Sequence, residues 1–247
     1  MNETLHMVQL RLNPERLIRF AQDQGVNHAW DEDLGYCVHA WLAALFGAMA
    51  PKPFRLLDPG TTWHKNRPLQ WFGYSDYDGA TLREQAETFA PPLALAVCDP
   101  AELTCAKPMP TVWATGRRLG FEVLACPVSR RETEKDVFLR AADTATDVES
   151  PPTRAEVYTA WLARQWGDAA MLESTRLEGF RLVRMMRRMQ PDLDSAGRPL
   201  RRLVYPQALL HGELTICDGA TFAKSLARGI GRHRAFGYGM VLLRPLR

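Results

Sequence analysis

Gly229-Ile230-Gly231-Arg232-His233-Arg234-Ala235-Phe236-Gly237-Tyr238-Gly239 is the stretch around which the rest of the chain is read. It holds two Gly-X-Gly pairs, each with an apolar residue between its glycines, and three basic residues between the pairs. Glycine admits φ > 0 and close approach of another chain. Successive turns of this kind expose backbone N–H groups as an anion nest. Arg232 and Arg234 add forked donors suited to phosphate oxygens. A helix over Ala220 to Arg228 leads in, and a strand over Tyr238 to Leu243 leads out. The setting suits a phosphate-bearing ligand held by backbone. It does not suit a mononucleotide, because no Gly-Lys-Ser/Thr follows and no strand precedes the first glycine. The plain alternative is a helix C-cap followed by a hairpin turn.

Charge distribution supports a phosphate-bearing partner better than bulk charge does. The 247 residues carry a net charge of only +3. After Asp218, however, there is no acidic residue, while Lys224, Arg228, Arg232, Arg234, Arg244 and Arg247 follow. Between Arg176 and Arg202 lie eight arginines against Glu178, Asp192 and Asp194. Basic charge gathered in one third of a chain is an electrostatic footprint. With 46% hydrophobic and 24% charged residues, the composition is that of a globular protein with a sizeable core. The five cysteines at 37, 98, 105, 126 and 217 form no C-x-x-C. They read as reduced thiols rather than a disulfide framework or a zinc site. No metal ligand set and no cofactor motif is expected. The N-terminus lacks a signal-peptide pattern, and no apolar run approaches the roughly 20 residues of a membrane span. The expected location is the cytoplasm, with no membrane partner.

Outward from the glycine stretch, the hydrophobic pattern gives the order of elements. Leu5 to Leu12 alternates as a strand, with His6, Val8, Leu10 and Leu12 on one face. Pro14 to Gln24 adds a helical turn. Asp31-Glu32-Asp33 places acids at the start of a helix that runs to about Phe46 and stops at Gly47. Strands are expected at Phe54 to Leu57, Leu69 to Tyr74 and Leu93 to Val97, with a helix at Thr81 to Phe89. This β-α-β-β-α-β order is the ferredoxin-like split unit. Pro108 to Gly116 is turn-rich and reads as the passage between domains. The second half repeats the order: strand Leu119 to Val128, a polar mobile loop Ala141 to Thr153, helix Arg154 to Trp166, strand Leu209 to Ile216, then the elements around the glycine stretch. Arg181, Arg184, Arg187 and Arg188 fit helical spacing over Leu177 to Met189, and Arg176 to Gln190 equally fits one side of a long basic hairpin arm. The fold class expected is α+β. It comprises two tandem ferredoxin-like (RRM-like) domains, residues 1–115 and 116–247, with a basic insertion in the second. No sequence repeat relates the halves.

With these elements in place, the chain resembles the CRISPR-associated repeat-RNA endoribonucleases, in particular the CasE (Cse3) branch of the type I-E Cascade complex. Three segments carry the resemblance. Gly229, Gly231, Gly237 and Gly239 fill a G-h-G-x5-G-h-G loop with basic residues before the last strand. Tyr36-Cys37-Val38-His39, followed by Leu42 and Leu45-Phe46-Gly47, looks like the family's first helix with its Tyr-x-x-His pair. Ala50-Pro51-Lys52-Pro53-Phe54-Arg55 is the third. Residues from Gly60 to Pro110 match only by order of elements.

The resemblance implies cleavage of CRISPR repeat hairpins in precursor crRNA, without metal. The ribose 2′-OH is the nucleophile, and the products are a 2′,3′-cyclic phosphate and a 5′-OH. It also implies that the protein stays on the crRNA beside other Cascade-type effector subunits. Histidine suits the proton transfers, since its unperturbed pKa of about 6.5 lies near operating pH. On a helix, Tyr36 and His39 are neighbours, about 300° apart around the axis and off the Val38-Leu42-Leu45 stripe. His39 is the expected proton-transfer residue. Tyr36 would donate to the phosphate or orient the imidazole. RNA is assigned to Gly229, Gly231, Arg232, His233, Arg234, Gly237 and Gly239, and to Arg181, Arg184, Arg187 and Arg188. Arg19 or Arg55 is a further cation candidate between which the sequence does not select. Three other readings stand beside this one: a non-catalytic subunit that holds the crRNA hairpin, a type IV repeat-processing relative, and an RRM-type binder suggested by Trp71-Phe72-Gly73-Tyr74. The last lacks an RNP1 pattern.

Overall fold

The computed structural model describes residues 4–26, 34–57, 67–131, 133–144, 151–188 and 200–246. Chain order begins β1 (His6–Leu12), α1 (Pro14–Asp23), α2 (Leu34–Phe46), β2 (Phe54–Leu57), β3 (Leu69–Ser75), α3 (Gly79–Phe89), α4 (Pro92–Leu95) and β4 (Lys107–Pro108). These strands form an antiparallel sheet ordered β2-β3-β1-β4, the ferredoxin-like arrangement. Val8, Leu10 and Leu12 alternate inward from β1 and meet Leu17, Phe20, Val38, Trp41, Leu42, Leu45 and Phe46 of α1 and α2. Pro14 at the first helical position and the Asn13 carboxamide, which accepts from the Arg16 N–H at 3.0 Å, start a full ten-residue α1 rather than a single turn.

The second half continues with β5 (Arg118–Ala125), β6 (Val128–Arg130), β7 (Glu134–Asp136), α5 (Val137–Thr144), α6 (Arg154–Trp166), β8 (Ala170–Arg188), β9 (Leu200–Ile216), α7 (Gly219–Arg228) and β10 (Val241–Arg244). Its main sheet is ordered β10-β5-β9-β8, the same topology again, and β6 and β7 pair as a separate ribbon. Tyr158, Trp161, Leu162 and Trp166 of α6 and Phe222 and Leu226 of α7 cover one face of that sheet. A capping box between Thr153 and Glu156 opens α6, and Asp218 caps α7 through the Thr221 N–H. The two sheets are joined directly. The Tyr74 hydroxyl of β3 donates to the Val241 carbonyl of β10 at 2.8 Å, and Arg55 of β2 meets Glu122 of β5 at 3.4 Å.

Four expectations are corrected and one open alternative is decided. Leu93 to Val97 is not a strand: Pro91 and Pro92 initiate the short helix α4, and the fourth strand is the two-residue Lys107–Pro108. Leu119 to Val128 is broken, since β5 ends at Ala125 and Val128 opens β6. The polar stretch from Ala141 begins as the end of α5, and residues 145–150 lie outside those described. Of the two readings left open for the arginine segment from Arg176, helix or hairpin arm, the strand is found through Arg188. β8 and β9 pair from Ala170↔Ile216 to Arg188↔Leu200 and form a long hairpin arm. Last, the final strand begins at Val241, because Gly239 at φ 77 interrupts extended backbone.

Candidate active site at the glycine-rich loop

All four loop glycines have positive φ, between 72 and 88°. The two Gly-X-Gly pairs close on one another: the Ile230 N–H donates to the Gly239 carbonyl at 2.8 Å, and the Gly239 N–H donates to Leu124 of β5 at 2.8 Å. A Cβ on Gly239 would stand 2.1 Å from the Ile230 carbonyl oxygen, and one on Gly229 would stand 2.8 Å from Pro53. The glycines therefore serve close backbone approach. They also seat the loop on the Pro53-Phe54 segment, since a Cβ on Gly237 would touch the Phe54 ring.

This closure carries Phe236 onto α2. Its ring stacks on Tyr36 with centroids 5.9 Å apart and planes 5° from parallel, and it meets the tilted His39 imidazole at 4.8 Å. Tyr36 and His39 are themselves 6.3 Å apart. Tyr36 is buried and His39 half-buried. The flank anticipated on α2 is thus formed, and it faces the glycine loop.

The basic residues between the glycine pairs are held by the protein. Arg232 donates through Nε to Glu134 Oε1 at 2.5 Å, and 44% of its side chain stays exposed. His233 occupies the left-handed region at φ 60, alone among the described non-glycine residues. Its Nε2 lies 3.1 Å from Glu134 Oε1, and its ring lies 4.8 Å from that of Tyr205. The Tyr205 hydroxyl donates to Glu134 Oε2 at 3.1 Å. Burial pushes the Glu134 carboxyl up, but the hydrogen bonds and charges of His233 and Arg232 outweigh it and hold the group at about 2. Arg234 turns back and donates to the Arg228 carbonyl at 2.8 Å, so it closes the end of α7. Burial, then the charges of Arg228 and Arg232, lower its pKa.

Two other cation candidates separate. Arg55 is buried against Glu122, whereas Arg19 is exposed on α1. Burial lowers the Arg55 pKa against the opposing pull of Glu122.

On the arm, Arg181 and Arg184 are both exposed. They pair with Gln207 and Val204 of β9, and three residues along a strand place them on opposite faces. With the Gln207 amide turned to donate to Tyr238 Oη at 3.0 Å, its oxygen accepts from Arg181 Nε at 2.6 Å and Nη2 at 2.9 Å. That orientation satisfies both neighbours. The backbones of Arg187 and Arg188 pair with Arg201 and Leu200, and their side chains lie outside those described.

Sequence reasoning missed Glu134 and Tyr205. Glu134 sits in the charged run Arg130-Arg131-Glu132-Thr133-Glu134-Lys135-Asp136, which reads as a solvated turn. Its partners lie 71 and 98 residues away. Among the described residues, no group of three or more His, Cys, Asp or Glu side chains is placed to hold a metal ion, and no helix is long and apolar enough to cross a membrane.

A family model described as CRISPR associated protein matches residues 5–245. The chain belongs to the CRISPR-associated protein family. Three solved structures place this CRISPR-associated protein among known folds. A CRISPR endoribonuclease Cse3 bound to a 19-nucleotide RNA is 21% identical, with a TM-score of 0.61 over 98% of this chain and 100% of its own. Thermus thermophilus Cse3, bound to an RNA representing a pre-cleavage complex, is 19% identical, with a TM-score of 0.55 over 98% and 100%. A chain of a CRISPR RNA-guided surveillance complex is 14% identical, with a TM-score of 0.55 over 98% and 100%. At these identities the likeness establishes a shared fold over nearly the whole chain. No curated protein sequence matches the chain.

Proposed function

We propose that this chain is an endoribonuclease that cleaves CRISPR repeat hairpins in precursor crRNA and stays bound to the product beside other effector subunits. Family membership and the fold shared with Cse3 support the substrate class. The observation that carries the catalytic assignment is the seating of the Tyr36–His39 flank on Phe236 of the glycine loop.

In the proposed reaction the ribose 2′-O attacks the adjacent phosphorus. Its proton passes to a base, the P–O5′ bond breaks, and the departing 5′-O takes a proton. The products are a 2′,3′-cyclic phosphate and a 5′-OH, and neither water nor a metal is consumed. His39 is half-buried on an aromatic floor, and it serves as the proton-transfer group. Tyr36, with its ring buried against Phe236, orients that flank. The exposed edge of Arg232 neutralises phosphate charge as the phosphorane forms. Arg181 and Arg184 hold the stem through its phosphates, as suits A-form RNA, which is read largely by shape. Single-turnover cleavage of the protein's own repeat hairpin, with the 2′-OH at the scissile position present or replaced by 2′-H, tests this reading. Only the ribose substrate should be cut.

A further inference from the structure

We infer that Glu134 is a positioning residue for the reaction proposed above: its carboxylate sets Arg232 and His233 of the glycine loop beside the His39 flank and ties them to the hairpin arm through Tyr205. The inference rests on that functional reading.

The geometry converges on one side chain. Oε1 takes Arg232 Nε at 2.5 Å and lies 3.1 Å from His233 Nε2, and Oε2 takes the Tyr205 hydroxyl at 3.1 Å. Only 16% of the Glu134 side chain is exposed, so these donors replace most of its water. Phe236 completes the link, since its ring contacts His39 at 4.8 Å and His233 at 6.5 Å. Holding His233 at φ 60 runs against the preference of a residue with a Cβ, and such strain persists only where surroundings over-determine it. Glu134 and Tyr205 supply that constraint.

The orientation of Arg232 argues for positioning rather than blockade. A guanidinium has five N–H donors in a fixed fork. Glu134 engages the fork at Nε, and 44% of the Arg232 side chain stays exposed. A carboxylate that merely occupied the phosphate position would face the terminal edge of the fork. Here the acid fixes the plane of the fork and leaves its outer edge for a phosphate, as outer-shell partners orient metal ligands.

Strand β7 also grips the other strand of the arm. Asp136, two residues along, accepts from Arg154 Nη1 at 2.7 Å and from the Tyr158 hydroxyl at 3.0 Å. The Arg154 guanidinium lies over both Phe138, at 4.1 Å, and Phe180 of β8, at 4.0 Å. β7 thus holds β9 through Tyr205 and β8 through Phe180, while it also holds the loop. The arm that would grip a stem and the loop beside His39 share one short strand as their reference.

The test uses the full chain and its own repeat hairpin, with single-turnover rate and Kd measured separately. Glu134→Gln should cleave about 10- to 100-fold more slowly, the usual size of an outer-shell loss, with Kd within about threefold of wild type. Glu134→Asp should recover much of the rate, because a shorter carboxylate restores charge; a purely steric role would not be rescued. Tyr205→Phe, which leaves Arg232 and His233 against Glu134, should give a smaller slowing, and it carries the test if Glu134→Gln does not fold. Wild-type rates in both Glu134→Gln and Tyr205→Phe would overturn the inference, as would tighter RNA binding by Glu134→Gln without slower cleavage, the mark of a blocking acid. A wild-type protein unable to cut its own repeat would overturn the functional reading instead. An active wild type beside fully active Glu134→Gln and Tyr205→Phe variants removes only this inference.

Discussion

The rings of Phe236 and Tyr36 lie offset and within 5° of parallel, their centroids 5.9 Å apart, and this pair fastens the glycine loop to the helix that carries His39. Stacked aromatic pairs are worth about 0.5–1.5 kcal/mol beyond the area they bury. Phe236→Ala removes that pair and the floor under His39 while leaving the imidazole in place. His39→Ala removes the imidazole and leaves the pair. Single-turnover cleavage should fall about 10²- to 10⁴-fold in His39→Ala, the usual worth of acid–base catalysis, with hairpin affinity little changed. Phe236→Ala should show an intermediate rate and a lower melting temperature. Cleavage by His39→Ala at near wild-type rate would remove the assignment.

The glycines separate by what surrounds them. At Gly239, φ is 77° and a Cβ would meet the Ile230 carbonyl at 2.1 Å. Gly239→Ala should destabilise the protein by about 3 kcal/mol or more, because strain and a backbone clash add. Gly25 also has positive φ, at 63°, but no described residue beyond its chain neighbours lies within 4 Å of its Cβ position. There Ala should cost only about 1–2 kcal/mol, the penalty of the left-handed conformation alone. Chemical denaturation of the two variants measures the contrast. Equal losses would mean that closure between Ile230 and Gly239 contributes nothing.

Much of the fold was legible because burial imposes a period on sequence. Val8, Leu10 and Leu12 read as a strand since each enters a core, and Trp41, Leu42 and Leu45 read as a helix for the same reason. The arm gave no such signal. Met185 and Tyr205 turn inward, but apolar Leu182 and Val204 sit 63% and 61% exposed on the outer face, so apolar residues fall on both faces, and the arginines admitted a helical reading. Leu93 to Val97 misled for the opposite cause: apolar residues over so few positions satisfy a strand or a short helix equally, and only the two prolines before them decide. In the candidate site, the resemblance picked out Tyr36 and His39, and the spacing of the four glycines marked the loop. Glu134 was not legible, because its significance lies in partners far along the chain.

The strand conformation of the arm changes what its arginines can do together. On a helix, Arg181 and Arg184 would share a face; on β8 they oppose one another. If both still meet phosphates of a stem, the arm enters between two backbones. Each phosphate contact contributes roughly 0.7 to 0.9 to the slope of log K against log salt. The pair Arg181→Ala and Arg184→Ala should then flatten the slope by about 1.4 to 1.8 units, shared between the single variants. Loss confined to one single variant would mean that only one face of the arm touches RNA.

Glu134 makes a separate prediction for stability against pH. Its carboxyl is held at about 2, below its ordinary 4.5. A depressed carboxylate contributes fully above its unfolded pKa, and the contribution is lost as pH falls through the folded value. Between pH 4.5 and about 2, wild type should therefore lose a stabilisation that Glu134→Gln never had. Melting temperatures of the two proteins should converge as pH drops through that window. A gap that stays constant from neutral pH to pH 2 would show that the charge of Glu134 adds nothing to the fold.

The central claim is that the RNA supplies its own nucleophile and the His39 flank moves the protons. The most direct measurement is single-turnover cleavage of the repeat hairpin in chelator, with one 2′-OH at the scissile position intact or replaced by 2′-H. The ribose substrate should yield a 2′,3′-cyclic phosphate and a 5′-OH at full rate, and the 2′-H substrate should bind with unchanged Kd and remain uncut. Cleavage of the 2′-H hairpin would mean that an activated water is the nucleophile, and loss of ribose cleavage on chelation would mean that a metal is required; either would contradict the account.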